Sequence, residues 1–152
     1  MTPWILYALL AAISAAFVGI FSKIGITGID STLATSLRGL IIGVFMGGAA
    51  LFLGKWNTLA ETSPKAFLFI FLAAIAGGLS WLWGFMALKA GGEVSAVNAL
   101  DKLSLLLVVI FAIIFLGEEF TWAKFFGALM IVIGTIFVSF TPEQIKQFFH
   151  WM

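Results

Sequence analysis

The chain has 152 residues, of which 62% are hydrophobic and only 10% charged, whereas about a quarter of the residues of a soluble domain carry charge. A soluble fold of this size has no interior large enough to hide so much apolar surface, which is therefore expected to face lipid. A formal charge of +1 gives no electrostatic footprint for nucleic acid, and the absence of cysteine removes disulfides, thiolate metal sites and thiol nucleophiles.

A bilayer core of about 30 Å is crossed by roughly 20 apolar residues of helix. Five segments meet that requirement, at residues 4–22, 33–53, 66–88, 94–117 and 122–140. Backbone groups in lipid must be satisfied within the segment, so these are expected to be helices, and no strand-like alternation suggests a barrel. The expected fold is all-α: a polytopic membrane protein, a bundle of five transmembrane helices forming one domain over residues 1–140, with a short tail at 141–152.

The first segment follows Met1-Thr2-Pro3-Trp4, has no basic region before it and no small-residue cleavage site after it. It reads as a retained helix rather than a signal peptide. Ala8, Ala12, Ala15, Gly19 and Ser22 make a stripe of small residues on one of its faces. Gly25, Gly28 and Asp30-Ser31 separate it from the second helix, for which Ser31 or Thr32 is the expected N-cap. The second helix carries Arg38 and Gly43-x-x-x-Gly47, and Gly54-Lys55-Trp56-Asn57 closes it. Ser63-Pro64 opens the third, which carries Ala73-x-x-x-Gly77 and then Ser80, Trp81 and Trp83 between Gly77-Gly78 and Gly84.

Gly91-Gly92 makes the turn into the fourth helix, where Ser95, Asn98, Asp101 and Lys102 lie. Glu118-Glu119-Phe120-Thr121 leaves room only for an antiparallel hairpin before the fifth helix, which carries Gly127 and Gly134. Trp4, Trp56 and Trp122 fall at helix ends, where aromatic belts form. In the tail, Thr141-Pro142-Glu143-Gln144 has the form of a capping box, and Ile145, Phe148, Phe149 and Met152 share one helical face. Both an interfacial amphipathic helix and a frayed end fit that pattern. The small-residue stripes fit generic packing within the bundle, and the one on the last helix also fits the seal of a dimer.

Three charges lie well inside the segments, Arg38, Asp101 and Lys102, whereas Lys124 sits at the very start of the last one. Each costs about 2.5–3.5 kcal/mol near a helix centre, less away from it, so each is expected to face a cavity or a partner. Neighbours on a helix point about 100° apart, which makes Asp101 and Lys102 poor partners for each other. Arg38 lies at similar depth on the same side, and Arg38–Asp101 is the expected pair. Lys102 shares a face with Asn98 and Ser95. Two readings stay open here, one in which the cations snorkel to the interface and one in which the group lines a cavity. Trp81 fits either a stacking surface for a ligand or core packing. Glu118 is read as structural, capping the start of the last helix.

His150 is the sole histidine and Asp101 alone makes no intramembrane protease, so no enzyme is expected, with no catalytic residue, metal or cofactor.

Several of these residues resemble one family. Ala87-Leu88, Gly91-Gly92, Ala96-Val97-Asn98-Ala99-Leu100, Phe115-Leu116-Gly117-Glu118, Gly127 and Gly134 look like the EamA domain of the drug/metabolite transporter superfamily. Gly78-Leu79-Ser80-Trp81-Leu82, Asp101-Lys102-Leu103-Ser104 and Asp30-Ser31-x-x-Ala34 resemble its single-domain, five-helix members. The resemblance implies half of a ten-helix, inverted-repeat transporter in the cytoplasmic membrane of a prokaryote, moving an amino acid, metabolite or drug-like compound by alternating access. Its solute site would draw on Asp101, Lys102, Arg38, Asn98, Trp81 and Ser80. Glu118, Gly127 and Gly134 would be structural. Ala99 departs from the proline that many members carry early in this helix.

The missing half implies a second copy or another protein, with a homodimer, parallel or antiparallel, as the expected assembly. Loop cations are balanced, with Lys55, Lys65 and Lys124 on one side against Lys23, Lys89 and Lys146 on the other, as dual insertion requires. The four-helix multidrug carriers rely on an acid in their first helix, and none occurs here before Asp30. A non-transporting membrane subunit that assembles with another protein is the alternative.

Overall fold

The computed structural model describes residues 2–140, so the expected tail helix lies outside the described residues. Every element is helical: α1 (Pro3–Gly25), α2 (Ser31–Phe52), a 3-10 helix (Lys55–Glu61), α3 (Pro64–Lys89), α4 (Val94–Asp101), α5 (Ser104–Leu116) and α6 (Trp122–Ser139). Taking α4 and α5 together, five stretches among the described residues are long and apolar enough to cross a membrane. The chain is an integral membrane protein, and its large side chains show why. Val44, Phe45, Phe52, Phe115 and Phe137 are each at least two-thirds exposed, an arrangement that favours hydrocarbon over water.

The caps explain where the helices start. Pro3 and Pro64 occupy first-turn positions, where a missing N–H costs nothing. Ser63 caps α3, accepting from the Ala66 N–H at 3.2 Å. At α2 the cap is Asp30, not Ser31 or Thr32. Its Oδ1 accepts from the Thr32 and Leu33 amides at 2.8 and 3.3 Å. A carboxylate takes both amides and opposes the positive end of the helix dipole, which a hydroxyl cannot do as well. Ser31 becomes the first helical residue and is buried.

Those two amide bonds, with a smaller contribution from Lys89 at 3.8 Å, hold the Asp30 carboxyl below its ordinary value of 3.8. A depressed folded-state pKa stabilises fully above the ordinary value and loses that stabilisation as pH falls through the folded value. Asn keeps the acceptor and does not titrate. On acidification below about pH 4, the thermal stability of the solubilised wild type should therefore fall relative to Asp30→Asn. Parallel pH profiles would show that the carboxylate contributes nothing.

Glu118 does not cap the last helix. Gly117, at φ +68°, ends α5 in a left-handed turn, and Thr121 reaches the cap position, accepting from the Lys124 N–H at 3.3 Å. The Glu118 carboxylate instead accepts from Lys124 Nζ at 2.9 Å, an exposed ion pair across the turn.

The described residues form two compact units, one up to Ala90 and one from Gly91. In the first, α2 and α1 both pack on α3, and the 3-10 helix folds back on α2. Trp56 fastens that return, its indole donating to the Gly47 carbonyl at 3.1 Å. Ile26, Phe85 and Leu88 are the buried apolar residues of this unit.

In the second unit, α6 packs against α4 and α5. The single helix expected over residues 94–117 is instead two. Between α4 and α5 the winding tightens, with i→i+3 bonds from Lys102 to Ala99, Leu103 to Leu100, Leu105 to Lys102 and Leu106 to Leu103, all 3.0–3.1 Å. No glycine or proline is present to cause this. The step falls where the Ala99 carbonyl also accepts from the Thr135 hydroxyl of α6 at 3.2 Å. Four residues on from Thr135, Ser139 bonds the Ala96 carbonyl at 3.3 Å. Side chains from a neighbouring helix and a local 3-10 turn are how backbone groups are kept satisfied within a membrane.

Candidate functional site

In the first unit the site is built around Arg38, seven residues into α2. Asp30, at the start of α2, lies 3.8 Å from Lys89, at the end of α3, so the two helices are antiparallel with these ends level. Trp81 lies eight residues before Lys89, about 12 Å deeper at 1.5 Å per residue. Its side chain leans toward the start of α3, deeper still. The Arg38 guanidinium is 4.2 Å from the Trp81 ring centre and 6.0 Å from that of Phe85, the ring one turn nearer the surface. It therefore does not reach outward to the interface. A cation over an indole is worth about 0.5–2 kcal/mol, rising as water is excluded.

Arg38 is half-buried and opens onto a groove of about 490 Å³ whose other walls include Val18, Phe21, Leu37, Ile41 and Phe85. It is the one charged residue of that lining. The acids of this unit are engaged elsewhere or distant in the chain: Asp30 caps α2 and faces Lys89, and Glu61 ends the 3-10 helix. Trp81 is half-buried beneath the guanidinium, while Trp83 is 63% exposed and Ser80 is exposed too. Thr35 and Ser36, beside a smaller groove between α2 and α3, donate back to their own helix at 2.8 Å.

From the sequence alone Lys23 reads only as a loop cation. In the structure its Nζ donates to the Leu88 carbonyl at 2.9 Å, at the C-terminal end of α3. A lysine in the last turn of one helix can serve the free carbonyls of another, and its position near a helix end was the available signal.

In the second unit, Asp101 ends α4 and Lys102 follows in the 3-10 step. The expectation that they avoid each other fails, since Lys102 Nζ lies 3.1 Å from Asp101 Oδ2. The flexible lysine stem reaches round the helix end, and with both side chains about half exposed the adjacent countercharge is the nearest available. The Asn98 amide donates to its own helix at the Val94 carbonyl, 2.8 Å away. Thr135 and Ser139, which bind the carbonyls of α4, were not singled out from the sequence. Gly127 and Gly134 lie beside this packed face on exposed surface, where an added Cβ would meet nothing within 4 Å.

Chemically, these groups can bind charge, accept hydrogen bonds and stack on a flat ring. Among the described residues no three acids or histidines cluster to hold a metal.

Comparison with known proteins agrees with this membrane architecture. A family model described as the EamA-like transporter family matches residues 2–140. A protein of Sinorhizobium sp named "Uncharacterized transporter in cobO 3'region" is 35% identical over 136 residues, covering 90% of this chain and 96% of its own length. No solved structure matches the chain.

Proposed function

The chain belongs to the EamA-like transporter family, and from that premise we propose that it moves a small hydrophilic solute across the cytoplasmic membrane of a prokaryote as a homodimer. The observation that carries the proposal is an arginine placed at membrane depth, level with Trp81 and facing a groove rather than the interface. Intramembrane ionisable residues are expensive and are kept where they serve a pathway. Asp101, Lys102 and Asn98 supply a second set of polar groups within a membrane span. In this reading the two copies alternate access to these groups, in the manner of repeat-built carriers. Gly127 and Gly134, left open on α6, offer a close-approach surface for the second copy.

Topology is the first test. The chain has no cysteine, so single cysteines near residues 2 and 140 can be probed in intact cells with an impermeant thiol reagent. Labelling of both positions in similar fractions supports an inverted pair. Labelling of one position alone removes the inverted homodimer and favours a parallel pair or a non-transporting subunit. Function is tested by expressing the chain in cells challenged with toxic amino-acid and metabolite analogues. Any change in tolerance should be lost in Asp101→Asn at an unchanged membrane level. If Asp101→Asn, Lys102→Met and Arg38→Gln all behave as wild type, the solute site lies elsewhere.

A further inference from the structure

We propose that the groove at Arg38 binds a small organic monocarboxylate with an apolar body, its carboxylate on the guanidinium and its body along α1, α2 and Phe85. This narrows the transport reading from small hydrophilic solutes at large to those that join one acid group to a short apolar body, and it rests on that reading for its role.

Charge argues first. The lining carries a single charged group, Arg38, and neither acid of the unit pairs with it. An unneutralised guanidinium in a span is costly, and an incoming anion recovers that cost as charge-assisted hydrogen bonds. One cation matches one negative charge. A phosphate dianion would call for a second cation, and the lining has none.

Geometry argues next. Trp81 lies against the guanidinium at 4.2 Å. A guanidinium held over a ring spends no N–H on a hydrogen bond to it, and its N–H fork can take a carboxylate through two parallel bonds. Apart from Arg38, Ser22 is the one polar residue of the lining and the rest is aliphatic, aromatic or glycine, so a solute polar along its whole length would lose hydration there with little return. A volume of about 490 Å³ falls within the range of small-molecule sites, roughly 300–1,000 Å³.

Depth separates this occupant from a lipid. A phospholipid headgroup sits at the interface, level with Asp30 and Lys89, whereas the guanidinium lies about two turns of α3 inside that level. The structure therefore favours a solute whose acid group can travel inward with a short apolar body.

The test is equilibrium binding to the full chain in phosphatidylcholine nanodiscs, using 3-phenylpropanoate, its amide and 3-phenylpropylamine as matched probes. The carboxylate should bind at least about tenfold more tightly than the other two. Arg38→Gln should remove that preference, and Arg38→Lys should keep part of it. To separate loss of the site from loss of folding, Ile41→Trp serves as a second variant. It fills the groove wall from an exposed position, leaves the guanidinium in place, and should weaken binding by a similar factor.

Equal binding of acid and amide would overturn the proposal. So would loss of carboxylate binding when phosphatidylglycerol replaces phosphatidylcholine, which would make a lipid the occupant. Tighter binding in Asp101→Asn would also overturn it, because the chain's own carboxylate would then be the native partner of Arg38. None of these measurements requires transport. A chain that binds the acid but moves nothing refutes the carrier reading alone.

Discussion

Replacing Ala128 by phenylalanine should destabilise the second unit more than any other single change on α6. Ala128 is 4% exposed and lies seven residues before Thr135, hence on the same face. That face is the one α6 turns to α4, as the bonds from Thr135 and Ser139 show. Lipid removes most of the hydrophobic drive between helices, so close approach over small residues supplies the packing. A ring placed there must push the helices apart, at a cost of about 1–3 kcal/mol or more. It would also lengthen the hydroxyl–carbonyl bonds two turns away.

The expected result is a lowered unfolding temperature and broadened gel filtration in mild detergent. Two comparisons sharpen it. Thr135→Val removes one interhelical hydrogen bond and should cost about 0.6 kcal/mol. Gly127→Leu, one position round the helix on open surface, should leave unit stability unchanged. If Gly127→Leu dissociates the proposed homodimer while Ala128→Phe unfolds the unit, the two faces of α6 have separate tasks. Wild-type stability in Ala128→Phe would mean that the packed face is not where the structure places it.

The second large effect is expected at Gly91, which begins the second unit and carries a φ of +102°. That conformation is open to glycine and strained for any residue with a Cβ, most of all a branched one. Gly91→Val should cost on the order of 1–3 kcal/mol through backbone strain alone, since an added Cβ meets no neighbour within 4 Å. Its partner in the dipeptide, Gly92, does not have a positive φ among the described glycines. Gly92→Ala should therefore be the milder change. Unfolding in SDS titrations would rank the two, and an equal ranking would contradict the assigned turn.

Much of this architecture was legible in the residues. Hydropathy and length placed all five spans, because the bilayer imposes both on any crossing helix. Pro3 and Ser63-Pro64 marked starts that depend on local chemistry alone. The misses have a common cause: each involves a choice among local candidates or a partner remote in sequence. Asp30 outcompeted Ser31 and Thr32 as a cap because two amides and a helix dipole favour a carboxylate. The 3-10 step has no glycine or proline to announce it, and its companion is a hydroxyl 36 residues away. Lys23 meets a carbonyl 65 residues away. For the candidate site, the sequence isolated Arg38 and Trp81 separately by depth and residue type. That one lies over the other depends on the antiparallel alignment of α2 and α3, which periodicity within either helix does not encode.

The 3-10 step also resets the angular phase of the span. An α-helix turns about 100° per residue and a 3-10 helix about 120°, so roughly three tightened steps add about 60°. Leu106, Val109, Ala112 and Ile113 are the least exposed residues of the middle of α5. Extrapolated along an unbroken α-helix from Ala99, their mean direction would lie about 70° away from it. The added rotation brings them to within about 10° of Ala99, whose carbonyl faces α6. The one tightened turn thus works as a phase shifter, letting two helical stretches of different register present a single seam to α6.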